Sequence, residues 1–585
     1  MNTPARPDPL TSIAGTAPSS PNPTVSPFLC LALLALSLEA SLPALGAPEG
    51  ATVREYRKTF RTYPFSDPDP IPNGGQIYPY FRYDGFTDRA EDREWTVVEL
   101  ENPWIRVMVL PEIGGKVWSA VEKSTGKEFL YGNQVVKFRD IAMRGPWTSG
   151  GIEANYGIIG HTPNCATPVD YRTRRKADGS VSVVIGVLDL LTRTPWRIEI
   201  ALPADKAYFT TASLWHNATP FEQPYYTWMN AGIKAAGNLQ FVFPGTHHID
   251  HDGRAQPWPI DPKTGRDLSF YERNDFGSYK AYHVLGRGAD FFAAFWHDED
   301  FGMGRFSYRD EKLGQKVWIW GLSREGMIWE KLLTDTEGQY VEVQSGRSFN
   351  QAGGGSSRTP FKHRGFLPYA TDTWTEYWFP VKGTKGLVAA SPFGGLNVRP
   401  REDGLEVLFS PLQAVDDTLE VLDGERIVFS SLVSAKPLEP WTAIVPVTAP
   451  VERLRVRIGG NRLEWKGDPG AGELSRPLQS PPDFDWTSAY GLWLKGKELL
   501  RQRSYAPARE ALEASLRKEP HFVPALADLS LLRLFAMDAK GAFDLARKAL
   551  AVDTYDPAAN YCYGLAARRL GRLDDARDGF ELAAQ

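Results

Sequence analysis

Three alanines, Ala508, Ala542 and Ala576, stand 34 residues apart in a stretch whose apolar residues fall at helical spacing. A fixed period of this length marks paired helices that stack on one another, because one pair alone cannot bury its apolar face. Gly496 and Gly564 occupy a recurring small place in the first helix of a unit, and Leu512 and Phe580 a bulky place in the second. The middle unit has Ser530 and Ala546 at those places, and Pro520 closes the first. The third unit reaches Gln585 inside its second helix with no polar capping helix. The expectation is a shortened form of a longer chain or an open end docked on another surface.

The units resemble tetratricopeptide repeats and place an α-helical solenoid over 485–585. Residues 52–380 follow a different rule. Alternation of period two runs through "WIRVMVL", "SVSVVIGVLDL", "WRIEIAL" and "AYFTTASLWHN", which predicts antiparallel strands. No strand alternates regularly with a long amphipathic helix, which argues against doubly wound and barrel α/β folds. The chain therefore reads as mainly β, with a large antiparallel β-sandwich over 52–380 and a small all-β sandwich module over 382–467. Gly, Pro and Ser crowd 468–484, a predicted linker with few contacts. Residues 1–46 read as signal peptide and leader. The apolar run "FLCLALLALSL" is shorter than the ~20 residues a spanning helix needs and leads to "ALGA". Cleavage before Ala47 predicts a secreted or periplasmic protein with no stable membrane span.

The formal net charge of -5 is spread along the chain and offers no basic stripe, so nucleic acid is excluded as a partner. The three cysteines lie in different segments, which argues against a disulfide framework or a thiolate metal site. No phosphate loop, nucleophile elbow or HExxH occurs, and no cofactor is implied. Aromatic rings are concentrated instead, with 14 of the 18 tryptophans between Trp95 and Trp378. Such rings stack on the C–H faces of sugars and also fill sandwich cores.

Four stretches carry the polar candidates. "VLPEIGGKVW" ends a strand in Pro111 and Gly114-Gly115, and "RGPWTSGGIEANYGIIGH" holds Trp147, Glu153, Asn155 and His161. "YYTWMNAGI…THHIDHDG" holds Tyr226, Trp228, Asn230, His247 and His248. "KVWIWGLSREGMIWEKLLTDTEGQYVEVQSG" holds Trp318, Trp320, Tyr340, Glu342 and Gln344. Alternation places Tyr340, Glu342 and Gln344 on one strand face. The run from His247 to His251 suits zinc or nickel by residue type, but adjacent histidines on a strand point to opposite faces, so no metal is assigned. Asp298 and Asp300 read as an acidic hairpin tip rather than a calcium site.

The Gly-Gly hairpin after "VLP", the strand "YTWMNAGI" and the later "YVEVQSG" resemble, in that order, galactose mutarotase-like (aldose epimerase-like) domains. The whole region, with its following repeats, looks like a bacterial family of unassigned function in that superfamily. The resemblance implies Glu342 as the base for an anomeric hydroxyl. It also implies a histidine acid four residues before Asn230, where this chain has Tyr226, leaving His161 or His247 to substitute. If a glycoside is cleaved, Glu153 and Glu342 are the carboxyl pair, Glu342 as base or nucleophile and Glu153 or a histidine as acid, with partial desolvation raising the pKa of one of the two. The expected function is an exported carbohydrate-active protein that hydrolyses or isomerises a glycan in a Trp-lined cleft. Trp147, Asn155, Tyr226, Trp228, Asn230, His248, Trp318, Trp320, Tyr340 and Gln344 are the binding candidates. The alternative is a non-catalytic glycan-binding module whose repeats recruit a protein partner.

Overall fold

A computed structural model describes residues 50–585 apart from 67–68, 73–80, 83–84, 143–144, 158–160, 162, 191, 288–289, 321, 323 and 352. The signal peptide and its cleavage site lie outside the described residues.

Among the described residues, two large sheets of 13 and eight strands form the sandwich. The larger sheet places the strands Lys280–Leu285, Gly314–Ile319, Tyr340–Gly346, Tyr226–Lys234, Ile152–Gly157 and Lys116–Glu122 side by side. The smaller is centred on Phe209–His216 and Thr371–Lys382. Alternation decides what lies between them. Val341, Val343, Met229, Ala231, Ile152 and Val317 point inward to meet Val183, Ile198, Trp215, Phe292 and Trp378 of the smaller sheet. The residues between them in sequence point to the outer face of the larger sheet, which carries the site described below.

The inter-sheet core also holds charge. Arg305 Nη2 lies 2.8 Å from Glu376 and Lys312 Nζ 3.7 Å from it, all three buried, and Ser345 donates to the same carboxylate. Burial would raise Glu376, but Lys312 and Arg305 outweigh it and hold it below the ordinary glutamate value.

Two four-stranded sheets around Leu396, Val407, Phe409, Leu419, Val421 and Val456 build the smaller module. The residues from 468 to 484 differ from the contact-poor linker expected. The Arg476 guanidinium lies over Phe349 and Phe361, Ser480 Oγ donates to Arg358 O at 3.0 Å, and Leu474 and Leu478 pack beside Phe361. Its two leucines and one stacked arginine give it apolar surface to bury, which composition in Gly and Pro concealed.

Six helices follow among the described residues, from Ala489–Arg501 to Leu573–Ala583. Ala508, Ala542 and Ala576 are buried at their contacts. A Cβ on Gly496 would stand 2.8 Å from the Leu512 side chain, and one on Gly564 the same distance from Phe580. In the middle unit Ser530 is larger than glycine and Ala546 smaller than leucine, so the exchange keeps the seam filled. No helix of the described residues is long and apolar enough to cross a membrane.

Candidate active site

Strand pairing gathers residues that are far apart in sequence. His283, Lys316, Gln344, Asn230 and Glu153 stand in one row across five neighbouring strands. Two residues along, Trp318 pairs with Glu342 and Glu342 with Gly232. Two residues the other way, Gly314, Gly346, Trp228 and Asn155 form a third row. A Cβ on Gly346 would come within 2.4 Å of the Trp228 indole, so this glycine lets the ring lie across the sheet. Gly114 and Gly115, both left-handed with φ of 66° and 68°, turn the chain into the strand that starts at Lys116.

Glu342 is buried, and Tyr340 Oη donates to its Oε1 at 3.0 Å while Gln344 Nε2 donates to Oε2. Glu153 is equally buried and accepts from Trp147 Nε1 at 2.6 Å and from His161 Nδ1 at 2.8 Å. Burial would raise Glu153, but the His161 ring outweighs it and holds the carboxyl below the usual glutamate value. That direction does not favour Glu153 as the protonated member of a carboxyl pair. Burial likewise disfavours charge on His161, yet Glu153 overrides it and raises the imidazole above the ordinary histidine value. Nδ1 of the ring is thus engaged by Glu153, and each partner favours the charged form of the other.

The aromatic candidates divide by position. Trp147 packs between His161 and Tyr340, with ring centroids 5.2 and 6.2 Å away. Trp318 is half-buried, stacks on Tyr279 at 4.5 Å and meets Trp320 edge-on at 5.7 Å. Trp329 backs Trp320 at 4.6 Å from a ten-residue helix, Arg324–Leu333, an element the alternation did not announce. Tyr226 continues the face of Trp228 and Asn230, and its hydroxyl accepts from Gln351 Nε2 at 2.6 Å. Asn155 lies fully buried on the same face. Asn230 and Gln344 pair on neighbouring strands, and Asn230 Oδ1 and Gln344 Oε1 are buried and without a partner among the described residues.

Two candidates do not reach this site. His247 lies on a strand three positions from that of Glu342, roughly 14 Å at about 4.8 Å per spacing, and its Nδ1 pairs with Thr246 Oγ1. His248 points inward, packed edge-on against Tyr282 at 4.8 Å, and burial brings its pKa down to about 4. Sheet order, which a single sequence does not reveal, is what separates them from Glu342.

Sequence reasoning missed three neighbours, Lys116, Lys316 and His283, and weighed a fourth, His251, only for a metal. The Lys116 ammonium donates to Thr148 O at 2.6 Å, and burial lowers its pKa. Lys316 lies over Trp228 and Trp318 at 5.4 and 5.1 Å and donates to Gln351 Oε1, and burial brings it down to about 7 although Glu342 opposes the shift. His283 Nδ1–H donates to Ile249 O at 3.0 Å and its Nε2 accepts from Gln351 N at 3.2 Å, so both ring nitrogens are engaged. His251 packs against His283 and Trp318 and is brought down to about 4 by burial. A signal for Lys316 existed, since alternation in "KVWIW" puts it on the face of Trp318 and Trp320.

A tetratricopeptide-domain protein from Parabacteroides distasonis is similar over 92% of this chain and 87% of its own, with 18% identity and a TM-score of 0.51. That likeness extends through sandwich, module and helices. A galactose mutarotase-like protein from Clostridium acetobutylicum matches 49% of this chain and 96% of its own at 9% identity and a TM-score of 0.36. For an aldose 1-epimerase, described as putative, from Klebsiella pneumoniae the figures are 50%, 84%, 9% and 0.35. The profile of the Domain of unknown function (DUF5107) matches residues 72–381, more than half of the chain, and the protein belongs to that family.

Proposed function

We propose that the outer face of the large sheet is an acid–base site acting on the anomeric centre of a sugar. The observation that carries this reading is the pairing of His161 Nδ1 with Glu153 at 2.8 Å, on the face that also presents the buried carboxylate of Glu342. Glu342 takes the proton of the anomeric hydroxyl while His161 Nε2–H gives one to the ring oxygen. The ring C–O bond breaks, the anomeric carbon becomes a carbonyl, and the net proton count is unchanged. Asn230 and Gln344 offer their unpartnered oxygens to sugar hydroxyls, and Trp318 offers a ring face. Hydrolysis with Glu153 as the protonated carboxyl is less well supported, because His161 holds it below the ordinary glutamate value. Incubating the protein with single anomers of aldoses and following their interconversion by NMR tests the reading. Binding without interconversion would instead favour a glycan-binding module whose helices recruit a protein partner.

The pair makes a pH prediction. Glu153 stabilises the fold above the ordinary glutamate pKa, and that contribution is lost as pH falls through its lowered value. His161 contributes below the ordinary histidine pKa and loses it as pH rises through its raised value, so the pair is strongest between about pH 4.5 and 6.5. The alkaline limb of the rate profile should therefore lie above that of a free imidazole, and Glu153→Gln should move it to lower pH. A limb that stays in place would remove His161 as the acid.

We further propose export, on the strength of the leader in the sequence. Mass spectrometry of the protein from a periplasmic or secreted fraction should find Ala47 at its N-terminus, and an intact Met1 in a cytoplasmic fraction would overturn this.

A further inference from the structure

Gln351 enters the site on a segment held from two sides. The sandwich holds its near half, where Gly353 N donates to His251 O at 2.6 Å and Gly355 N to Asp252 Oδ1 at 3.2 Å. The first helix of the array, Ala489–Arg501, holds its far half. There Glu498, 1% exposed, accepts from Ser356 Oγ at 3.0 Å, from His363 N at 3.1 Å and from His363 Nδ1. One turn on, Arg501 donates to His363 O at 3.0 Å and to Glu222 at 2.9 Å, and Gln502 Nε2 reaches Gly353 O at 3.4 Å.

A buried carboxylate is costly unless donors surround it, and here the loop supplies them. Burial would raise Glu498, but the His363 ring and backbone with Ser356 outweigh it and keep the carboxyl below the usual glutamate value. The seam of small residues that packs this helix on the next, Gly496 against Leu512, does not involve Glu498. Its polar contacts are instead directed at the sandwich. At the other end of the segment the Gln351 amide bridges Lys316 and Tyr226 while its N–H holds His283.

We infer that Glu498 is a positioning residue of the site. By fixing residues 353–363 from the helical array it sets the Gln351 amide between Lys316 and Tyr226, so the array is a working part of the site. Only the purpose of the site rests on the function proposed above. The Lys316 side chain reports the geometry without any sugar.

The test uses the full chain labelled with ¹³C at lysine Cε, with the Lys316 signal assigned by Lys316→Arg. Its titration is followed by NMR in the parent, in Gln351→Ala, in Glu498→Ala and in the double variant. Glu376 is held by Arg305, Lys312 and Ser345, none of them in the array, and Glu376→Gln serves as a control for general loosening. Both single variants are expected to move the Lys316 midpoint in the same direction by at least about half a pH unit, the double variant no further. Glu498→Gln, which still offers an amide oxygen to Ser356, should restore part of the parent value. If Glu498→Ala does not fold, Ser356→Ala with His363→Ala removes the two side-chain donors from the other side and should give a shift in the same direction. A lowered melting temperature with the Lys316 midpoint unmoved, or a shift equal to the control's, would overturn the inference. A moved midpoint in a protein that interconverts no sugar would leave it standing and sink only the proposed reaction.

Discussion

Replacing Glu342 with glutamine is expected to lower turnover at saturating sugar by at least roughly a hundredfold, with binding largely retained. The substitution preserves shape, and Tyr340 Oη can still donate to the amide oxygen where it now donates to Oε1. What disappears is the only carboxylate on this strand, since valines 341 and 343 face the core and Gln344 is an amide. The Glu342→Gln and Glu153→Gln changes together should cost less than the product of the two, because acid and base act in one step. Anomer interconversion by NMR gives the rate and isothermal titration the affinity. An unaltered rate would remove Glu342 from the chemistry and reduce it to a binding group.

The second large effect concerns stability. Glu376→Gln removes the charge that two buried cations share, Arg305 at 2.8 Å and Lys312 at 3.7 Å, and Lys312 is already brought down to about 8 by burial even with Glu376 beside it. Removing one partner of such a cluster typically costs about 3–5 kcal/mol, because the remaining charge has neither counterion nor water. Urea unfolding followed by tryptophan fluorescence reports it well, since most of the indoles lie in the sandwich. A loss under about 1 kcal/mol would mean that the cations find other partners or give up their protons. Replacing all three by apolar residues of similar volume should recover most of the loss.

Much of this architecture is legible in the chain because two periodicities do not overlap. Alternation of period two assigns Tyr340, Glu342 and Gln344 to one face, and the same rule puts Trp228 with Asn230 and Glu153 with Asn155. A local rule says nothing about which strands are neighbours. Lys316 and Gln344 lie on strands that follow one another in the chain with the helix Arg324–Leu333 between them, but Glu153 joins them only through the Tyr226–Lys234 strand, some seventy residues further on in the chain. His247 fails for the same reason, lying on a strand at the far side of Lys280–Leu285. The pairing of Glu153 with His161 was also hidden, because no periodicity links the two.

The polar rows on the outer face have a consequence for how the sheet finds its alignment. A slip of one residue in Tyr340–Gly346 would drive Glu342 and Gln344 into the hydrocarbon between the sheets and bring Val341 and Val343 out among charges. The groups proposed to do chemistry thus act as a key for pairing, penalising misalignment more heavily than an apolar strand would. Softening that face to gain stability would also loosen the lock, so variants that replace several of these residues at once should show heterogeneous strand pairing before they show unfolding.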